Sequence, residues 1–371
     1  MRIFYYGTTL GNQLDPELDP NAIDLLGACQ LLSKHLGDSP VIQLNASVGR
    51  SRVGDYAEQM YSDEYKFKPG DVFFTTGQLS LNHIRTVQGI PYPSTLQMLE
   101  LIAKHDQAPL YILLQDPRPQ FFTWLDELLC TYGIPADRIT ICYSTFCEGA
   151  ALVQVQARIR ELIAMNSGYD ADAIGLLRLN YQLTAGLWVK HTPRRSNKLY
   201  DALYPSNQLT EERLAELAQH TSHPDVQLCA IGKTEPWLKS ITDNKRVLSQ
   251  IGLCKLIAQS WTMPILLTPD HLRLGMFATA RFWQALANGA MPIFPRAYCL
   301  ELEGNAHLQQ AMQNFGLTAQ RSKLFTSANA KQYADKLTLL KSAAGYQALI
   351  QAEQYAWLQE LLAKAVANGG L

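Results

Sequence analysis

Asp116 lies two residues after the end of an apolar run in the stretch "LYILLQDPRPQFF", residues 110–122. The run Leu110–Leu114 is typical of a strand buried in a parallel sheet, and Pro117 biases Asp116 toward extended backbone. Open α/β sheets bind their ligands at the carboxyl ends of strands, so this carboxylate is a candidate general base. It could equally cap the helix that the following residues predict. The stretch alone leaves both interpretations open.

A second candidate site lies in "FATARFWQALANG", where Arg281 falls in the first turn of a predicted helix and Gln284 shares its face. A cation in the first turn opposes the helix dipole unless an anion lies in front of it. A diphosphate would supply that anion. The alternative is an ion pair between Arg281 and a nearby acid such as Asp270. Gly289 is expected to end the helix in the left-handed conformation.

The most basic patch of the sequence is "WVKHTPRRSNKLYDAL". Its positive groups are Lys190, His191, Arg194, Arg195 and Lys198. We expect them where a strand leads into a helix at about 195–204, with Pro193 near the first turn. Positive groups at a helix start attract an anion. A solvated basic surface is the alternative that the residues leave open.

Three other sequence features are weaker evidence for a nucleotide or metal site. Gly7 in "YGTTLGNQ" would let backbone approach a ligand closely, but the loop matches neither GxGxxG nor a P-loop. Asp170 and Asp172 form a D-x-D pattern, for which the polar surroundings favour a surface turn over a metal site. The eight histidines show no HExxH spacing, so no protein-built zinc site is expected.

Length and composition narrow the class of protein. The 371 residues favour two domains, and 47% apolar with 18% charged residues indicates a packed globular chain. A net charge of -1 excludes strong overall attraction to nucleic acid but permits a local basic cleft. Seven cysteines without a CxxC pair predict reduced thiols, mostly in the core. The N-terminus resembles a first strand and no apolar run reaches about 20 residues, so we expect a soluble cytoplasmic protein.

Alternating strand and helix patterns predict doubly wound parallel sheets. In the first half, strands are expected within 2–7, 40–46, 71–77, 110–116 and 138–144, and helices within 22–37, 94–106, 120–131 and 148–166. The polar segment from 166 to about 180 is interpreted as a linker. A second series has helices near 195–204, 209–220 and 278–289, strands at 226–232, 263–269 and 290–295, and a terminal helix at 344–369.

Two α/β domains of similar size, closed by a terminal helix, suggest the GT-B architecture. The expected domains are 1–170 for the acceptor, 171–345 for a nucleotide sugar, and 346–371 as a helix returning toward the first domain. Both domains would be Rossmann-like. The ligand is then expected in the cleft between them, at the carboxyl ends of both sheets.

In their order and spacing these motifs resemble those of the bacteriophage DNA β-glucosyltransferases. The catalytic aspartate of that family ends a strand and has an arginine two positions later, as Asp116 and Arg118 do. Its diphosphate-binding R-x-x-K is matched by Arg195 and Lys198. Its later pattern is an aspartate, ten residues, then R-x-W. This pattern is matched by Asp270, Arg281 and Trp283, and "FFTTGQLSLN" resembles the loop that approaches DNA.

The resemblance implies an inverting transfer of glucose from UDP-glucose to 5-hydroxymethylcytosine in DNA, with Asp116 as general base. It implies diphosphate contacts from Arg281, Arg195, Arg194 and Lys190. It implies nucleoside or sugar contacts from Gln284, Asp270, Gln250, Ile251, Gly7, Asn21 and Asp24. It implies DNA contacts from Arg118, Thr76, Gln78 and Asn82. Gln284 replaces a family glutamate that binds ribose hydroxyls, and an amide can bind them too.

The same resemblance implies a UDP-sugar donor, with Mg²⁺ or Mn²⁺ on the diphosphate. The partner would be DNA carrying a hydroxymethylated pyrimidine, flipped out of the duplex to reach the enzyme. A phage-encoded enzyme of this kind would act in the host cytoplasm. The alternatives are a GT-B glycosyltransferase with a small-molecule or glycan acceptor, a sugar-nucleotide epimerase, and a non-catalytic nucleotide-sugar-binding protein.

Overall fold

The computed structural model describes residues 1–6, 22–43, 67–76, 86–87, 90–91, 102–188, 197–208, 211–233, 243–245 and 250–370. The chain divides into two compact units. The first contains 1–145, 149–185 and 369–371, and the second contains 146–148 and 186–368. No helix within the described ranges is long and apolar enough to cross a membrane. No disulfide joins any of the seven cysteines, four of which are buried, as the sequence predicted.

The first unit is built on a six-stranded, entirely parallel sheet. Its strands are β1 (Ile3–Tyr6), β2 (Val41–Gln43), β3 (Val72–Thr76), β6 (Leu110–Leu113), β7 (Ile139–Tyr143) and β8 (Gly175–Arg178), and a separate hairpin pairs β4 (Thr86–Val87) with β5 (Ile90–Pro91). The order in the sheet is β2-β1-β3-β6-β7-β8. The direction of winding reverses between β1 and β3, which marks the edge where ligands bind in open sheets of this kind.

Four α-helices accompany this sheet within the described residues. They are α1 (Ala22–His35), α2 (Pro119–Tyr132), α3 (Ala150–Asn166) and α4 (Tyr181–Thr184). Pro119 occupies the first turn of α2, where its missing N–H costs nothing. Gly133 ends this helix at φ 61°, and its N–H donates to two carbonyls of the last turn. The helix predicted at 120–131 is therefore confirmed.

The interpretation of 166–180 as a linker is wrong. Residues Gly175–Arg178 form β8, which pairs with β7 in register from Thr140 to Tyr143. A Cβ at Gly175 would lie 2.7 Å from the Thr140 Oγ1, so glycine is needed here for strand contact rather than for flexibility. The units divide at residues 185 and 186.

The second unit has a second six-stranded parallel sheet. Its strands are β9 (Tyr200–Gln208), β10 (Leu228–Lys233), β11 (Asp243–Lys245), β12 (Ser260–Pro264), β13 (Met291–Pro295) and β14 (Thr326–Ser327). Their order is β11-β10-β9-β12-β13-β14, the dinucleotide-binding order with its reversal between β9 and β12. Its helices are α5 (Glu211–Thr221), α6 (Gln250–Ala258), α7 (Pro269–Arg273), α8 (Ala280–Ala287), α9 (Arg296–Glu303), α10 (Ala306–Asn314), α11 (Ala319–Phe325), α12 (Ala330–Lys341), α13 (Ala343–Tyr346) and α14 (Tyr355–Ala365).

Two sequence predictions fail in this unit. The helix expected at 195–204 is wrong, because residues 200–208 form the strand β9 between β10 and β12. The strand expected at 263–269 begins earlier, at Ser260, and ends at Pro264. Pairing with neighbouring strands overrides local helical spacing in the first case. In the second case, the last apolar residues of the run belong to a loop.

The terminal helix pattern is confirmed, with π-helical turns at Gln347–Gln354 and Val366–Gly370 around α14. The Trp357 indole donates to the Phe315 carbonyl at 2.9 Å and its ring packs edge-on against Phe282. These contacts attach α14 to the second unit. The predicted return of the terminal segment toward the first domain stays a prediction.

Candidate functional site

Asp116 lies three residues beyond the end of β6, at the carboxyl edge of the first sheet. Its Oδ2 is 2.7 Å from the Arg118 Nε, while its Oδ1 is buried and accepts no hydrogen bond. The N-cap of α2 is Arg118, and no side chain caps that end. The helix-cap interpretation of Asp116 is therefore wrong. The side chain is 38% exposed and is held through one oxygen, which keeps Asp116 a candidate general base.

Tyr181 fixes the backbone that carries Asp116. This fully buried tyrosine donates its hydroxyl proton to the Leu114 carbonyl, two residues before the aspartate. Burial raises the pKa of the Tyr181 phenol well above 10, and the charges of Asp24, Cys142 and Asp116 add to the rise. The phenol therefore remains a hydrogen-bond donor at any physiological pH.

Asp24 is a second unusual carboxyl at this edge. It lies in the first turn of α1, is 7% exposed, and has an Oδ1 without a hydrogen-bond partner. Burial raises the pKa of Asp24 from 3.8 to about 7. A Cβ at Gly27 would lie 3.0 Å from the Tyr181 carbonyl oxygen, so glycine allows α1 to approach α4. Asp24 and Asp116, both predicted from the sequence as site residues, thus both raise the pKa of the Tyr181 phenol.

The remaining predicted ligand and DNA contacts of the first unit differ in how exposed they are and in whether the structure describes them. Arg118 is 53% exposed, which suits a contact with DNA. Thr76 ends β3 beside Leu113, but at 2% exposed it presents almost no surface to a duplex. Four more predicted positions lie outside the described residues, namely Gly7, Asn21, Gln78 and Asn82.

The D-x-D pattern is a surface turn, as predicted. The Asp170 Oδ1 accepts a hydrogen bond from the Asp172 N–H at 3.0 Å, and Asp172 pairs with Arg160 at 3.5 Å. The side chain of Asp172 is 89% exposed. No group of three or more histidine, cysteine, aspartate or glutamate side chains capable of holding a metal occurs in the part of the chain that the structure describes.

Arg281 lies in the first turn of α8 and points at an aromatic ring. Its Nη1 donates to the Tyr204 hydroxyl at 3.4 Å, and its guanidinium carbon is 5.3 Å from the centre of that ring. Asp270 pairs with Arg273 instead, at 3.7 Å. The expected alternative of an Arg281–Asp270 ion pair is therefore wrong. The N-cap of α8, Thr279, makes no side-chain cap, so no N-cap side chain occupies the first amides of α8.

Gln284 lies one turn after Arg281 on the same helix. Its side chain is 4% exposed and its Nε2 has no hydrogen-bond partner. Because buried polar atoms are nearly always satisfied, an unused amide donor here is a candidate ligand contact. Gln250 and Ile251 begin α6 after β11. The predicted diphosphate ligands Lys190, Arg194 and Arg195 lie outside the described residues.

The contacts of Lys198 show that it has a structural role, which changes the interpretation of the R-x-x-K motif. Its Nζ donates to the carbonyls of Ser260 and Gly289, both at 2.7 Å, and burial lowers its pKa to about 8. Lys198 precedes the amino end of β9, which is the opposite edge from the one that binds ligands. The R-x-x-K match therefore ends in a structural lysine, and it leads into a strand rather than a helix.

Sequence reasoning missed three polar side chains at the carboxyl edge of the second sheet. Arg213 and Glu216 lie on α5, and Tyr298 lies on α9. The Arg213 Nη1 is 3.2 Å from Glu216 Oε2 and 3.4 Å from the Leu267 carbonyl oxygen. The segment "TEERLAEL" has an ordinary helix start, and only the strand order shows that it borders the reversal between β9 and β12.

No family model matches the chain, and no curated protein matches it. Two doubly wound parallel sheets in one chain give the GT-B fold predicted from the sequence. The chain is similar to the structure of the DNA-modifying enzyme β-glucosyltransferase with and without uridine diphosphoglucose, at TM-score 0.60 and 13% identity over 99% of this chain and 97% of that one.

Two further structures of the T4 phage enzyme show the same similarity. A mutant in complex with UDP-glucose has TM-score 0.62 at 13% identity, and a complex with UDP and Mn²⁺ has TM-score 0.61 at 15% identity. Both again cover 99% of this chain and 97% of the other. The resemblance seen in the motifs is thus confirmed in the fold.

Proposed function

We propose that this chain is an inverting glycosyltransferase that transfers a sugar from a UDP-sugar to the hydroxymethyl group of a modified pyrimidine in DNA. Glucose is the proposed sugar. The observation that carries the proposal is the carboxylate of Asp116, which stands at the carboxyl edge of the first sheet with Oδ1 unused and Oδ2 held by Arg118. The similarity to a DNA-modifying enzyme of the same fold supports the choice of acceptor.

In the proposed reaction, Asp116 accepts the proton of the hydroxymethyl group as its oxygen attacks the anomeric carbon. The new carbon–oxygen bond forms as the bond to the UDP oxygen breaks, and the electron pair leaves with UDP. One displacement inverts the anomeric centre. A primary alcohol is a poor nucleophile until its proton begins to leave, so a positioned base typically contributes about 100- to 10,000-fold in rate.

The proposal assigns the donor to the second unit. Arg281 would pair with the diphosphate, where its guanidinium and the first amides of α8 offset the negative charge that grows on the departing UDP. Gln284 would use its free amide donor on the nucleoside. Lys190, Arg194 and Arg195 stay proposed diphosphate ligands, and Asp270, Gln250 and Ile251 stay proposed nucleoside or sugar contacts. In the first unit Asp24 would contact the sugar, and Arg118 the DNA backbone.

A divalent ion on the diphosphate is suggested by the similar complex with UDP and Mn²⁺. The described residues do not fit a protein-built site for it, because they contain no cluster of three or more ligand side chains. Asp270, the aspartate of the motif match, pairs with Arg273 at 3.7 Å. No step of the proposed reaction is therefore assigned to a metal.

The test is nucleoside mass spectrometry after incubation of the protein with UDP-glucose and DNA containing 5-hydroxymethylcytosine, with and without Mg²⁺. Unmodified DNA is the control acceptor. The proposal expects a hexose mass added only to the hydroxymethylated base. UDP binding without any transfer would indicate another acceptor or a silent binding protein. Failure to bind any nucleotide sugar would remove the glycosyltransferase proposal itself.

A further inference from the structure

We infer that Tyr298, Glu216 and Arg213 are positioning residues for the donor-binding segment of the second unit. They form a ring of hydrogen bonds that holds Leu267 and, through it, the backbone leading to Arg281. The inference rests on the proposed function, because the ligand class is the diphosphate of a nucleotide sugar. The ring need not touch that ligand.

Each hydrogen bond of the ring has a defined donor and acceptor. The Leu267 N–H donates to the Tyr298 hydroxyl at 3.0 Å, and this hydroxyl donates its proton to the Glu216 Oε1. The other carboxylate oxygen pairs with the Arg213 Nη1 at 3.2 Å, and Nη1 donates to the Leu267 carbonyl at 3.4 Å. The hydroxyl also lies 3.2 Å from that carbonyl, but its single proton goes to the shorter, charged acceptor.

The environment keeps the Tyr298 hydroxyl in its role as a proton donor. Burial raises the pKa of the Tyr298 phenol, and the neighbouring Glu216 carboxylate raises it further. The phenol therefore stays protonated and donates at any pH at which the protein folds. Tyr298 is 7% exposed. Hydrogen bonds to a charged partner in such surroundings are stronger than bonds between neutral groups, and loss of one member leaves its partner unsatisfied.

The ring joins the ends of three neighbouring strands. Arg213 and Glu216 are on the helix that follows β9, Leu267 lies three residues after β12, and Tyr298 lies three residues after β13. These strands are adjacent in the sheet, and the first two form the reversal point. The ring therefore fixes backbone at the edge where an open sheet of this kind binds its ligand.

A continuous set of contacts runs from Leu267 toward Arg281. Thr268 follows Leu267, and its Oγ1 accepts the His271 N–H at 3.3 Å. The Met276 N–H donates to the His271 carbonyl at 2.8 Å. The next residue, Phe277, is buried, and α8 begins three residues later. A displacement of Leu267 would therefore move the start of α8 and the guanidinium in its first turn.

The test measures the Kd for UDP by calorimetry in a double-mutant cycle that combines substitutions of Tyr298 and Arg281. Tyr298→Phe keeps the ring packing of the side chain but removes both hydrogen bonds of the hydroxyl. We expect it to raise the Kd for UDP about 10-fold, and Glu216→Gln to raise it less, because the amide oxygen can still accept the phenol proton. In an Arg281→Ala background the effect of Tyr298→Phe should shrink to less than about threefold, since the two residues act through one contact.

Tyr333→Phe is the matched control. Tyr333 is fully buried in the second unit, and its hydroxyl contacts the Thr262 Oγ1 at 2.6 Å within the sheet, away from the carboxyl edge. It should lower stability without changing the Kd for UDP. If Tyr333→Phe raised the Kd for UDP as much as Tyr298→Phe does, general destabilisation would explain both effects and the inference would be overturned.

The remaining outcomes are equally decisive. The positioning role would be refuted if Tyr298→Phe left the Kd for UDP unchanged. It would also be refuted if the fold-changes in Kd caused by Tyr298→Phe and Arg281→Ala were independent and simply multiplied in the double variant. Both results would leave the proposed function intact. A wild-type protein that binds no UDP would overturn the proposed function, and this inference with it. If Tyr298→Phe fails to fold, Glu216→Gln in the same cycle decides between these outcomes.

Discussion

Replacing Asp24 by asparagine should flatten the dependence of the free energy of unfolding on pH. Burial raises the pKa of Asp24 from 3.8 to about 7, so between these values the folded state retains a proton that the unfolded chain has lost. The stabilisation from this group is fully present below the unfolded pKa and is lost as the pH rises through the folded one. Asparagine cannot ionise and keeps nearly the same shape.

The size of the effect follows from the two pKa values. At about 1.4 kcal/mol per pKa unit, the whole difference corresponds to about 4 kcal/mol, of which about 2.5 kcal/mol falls between pH 5 and pH 8. The side chain is 7% exposed, so solvent screens this term little. Relative to the wild type, Asp24→Asn should therefore become more stable by about 2.5 kcal/mol over that pH interval.

Urea unfolding at four pH values from 5 to 8, followed by fluorescence and circular dichroism, measures this difference. Asp38→Asn is the control, because the Asp38 carboxylate is exposed and asparagine tolerates its φ of 57°. The control should follow the wild type at every pH. Parallel pH profiles for the wild type and Asp24→Asn would refute the burial argument.

Three further substitutions have defined outcomes. Tyr181→Phe should slow sugar transfer about 10-fold with unchanged Kd for UDP, because it releases the strand end that carries the base; a raised Kd would contradict this. Arg281→Ala should raise the Kd for UDP about 10-fold or more, and the control Arg160→Ala, in the first unit, should leave it unchanged, both by calorimetry. Gly186→Ala would place a Cβ 2.5 Å from the Trp283 ring and should lower the free energy of unfolding by about 1–3 kcal/mol in urea titrations. If the variant were as stable as the wild type, the Trp283 ring would be able to move away from the new methyl group at no cost.

Local patterns were sufficient to predict the parts of the site that end a strand or begin a helix. Asp116 follows a short apolar run, and Arg281 opens an amphipathic segment, so each could be placed at a carboxyl edge before any coordinates. Lys198 shows the limit of such reasoning. A positive charge in a basic segment looks like a ligand for phosphate, yet here two backbone carbonyls of distant segments bind it.

Features that depend on strand order could not be predicted in the same way. Arg213 and Tyr298 are 85 residues apart in sequence, and they meet only because β9, β12 and β13 are neighbours. The sequence predicts a linker at β8 because a glycine in a polar segment is typical of a turn, whereas Gly175 allows close strand contact. In each case the deciding interaction joins residues that no local pattern connects.

The most direct test of the central claim compares Asp116→Asn with the wild type in sugar transfer to 5-hydroxymethylcytosine DNA. Asp172→Asn is the matched control, since this aspartate also pairs with an arginine but lies in a surface turn. We predict that Asp116→Asn lowers the transfer rate about 100-fold or more with an unchanged Kd for UDP, and that the control is fully active. Normal turnover by Asp116→Asn would show that another group takes the proton.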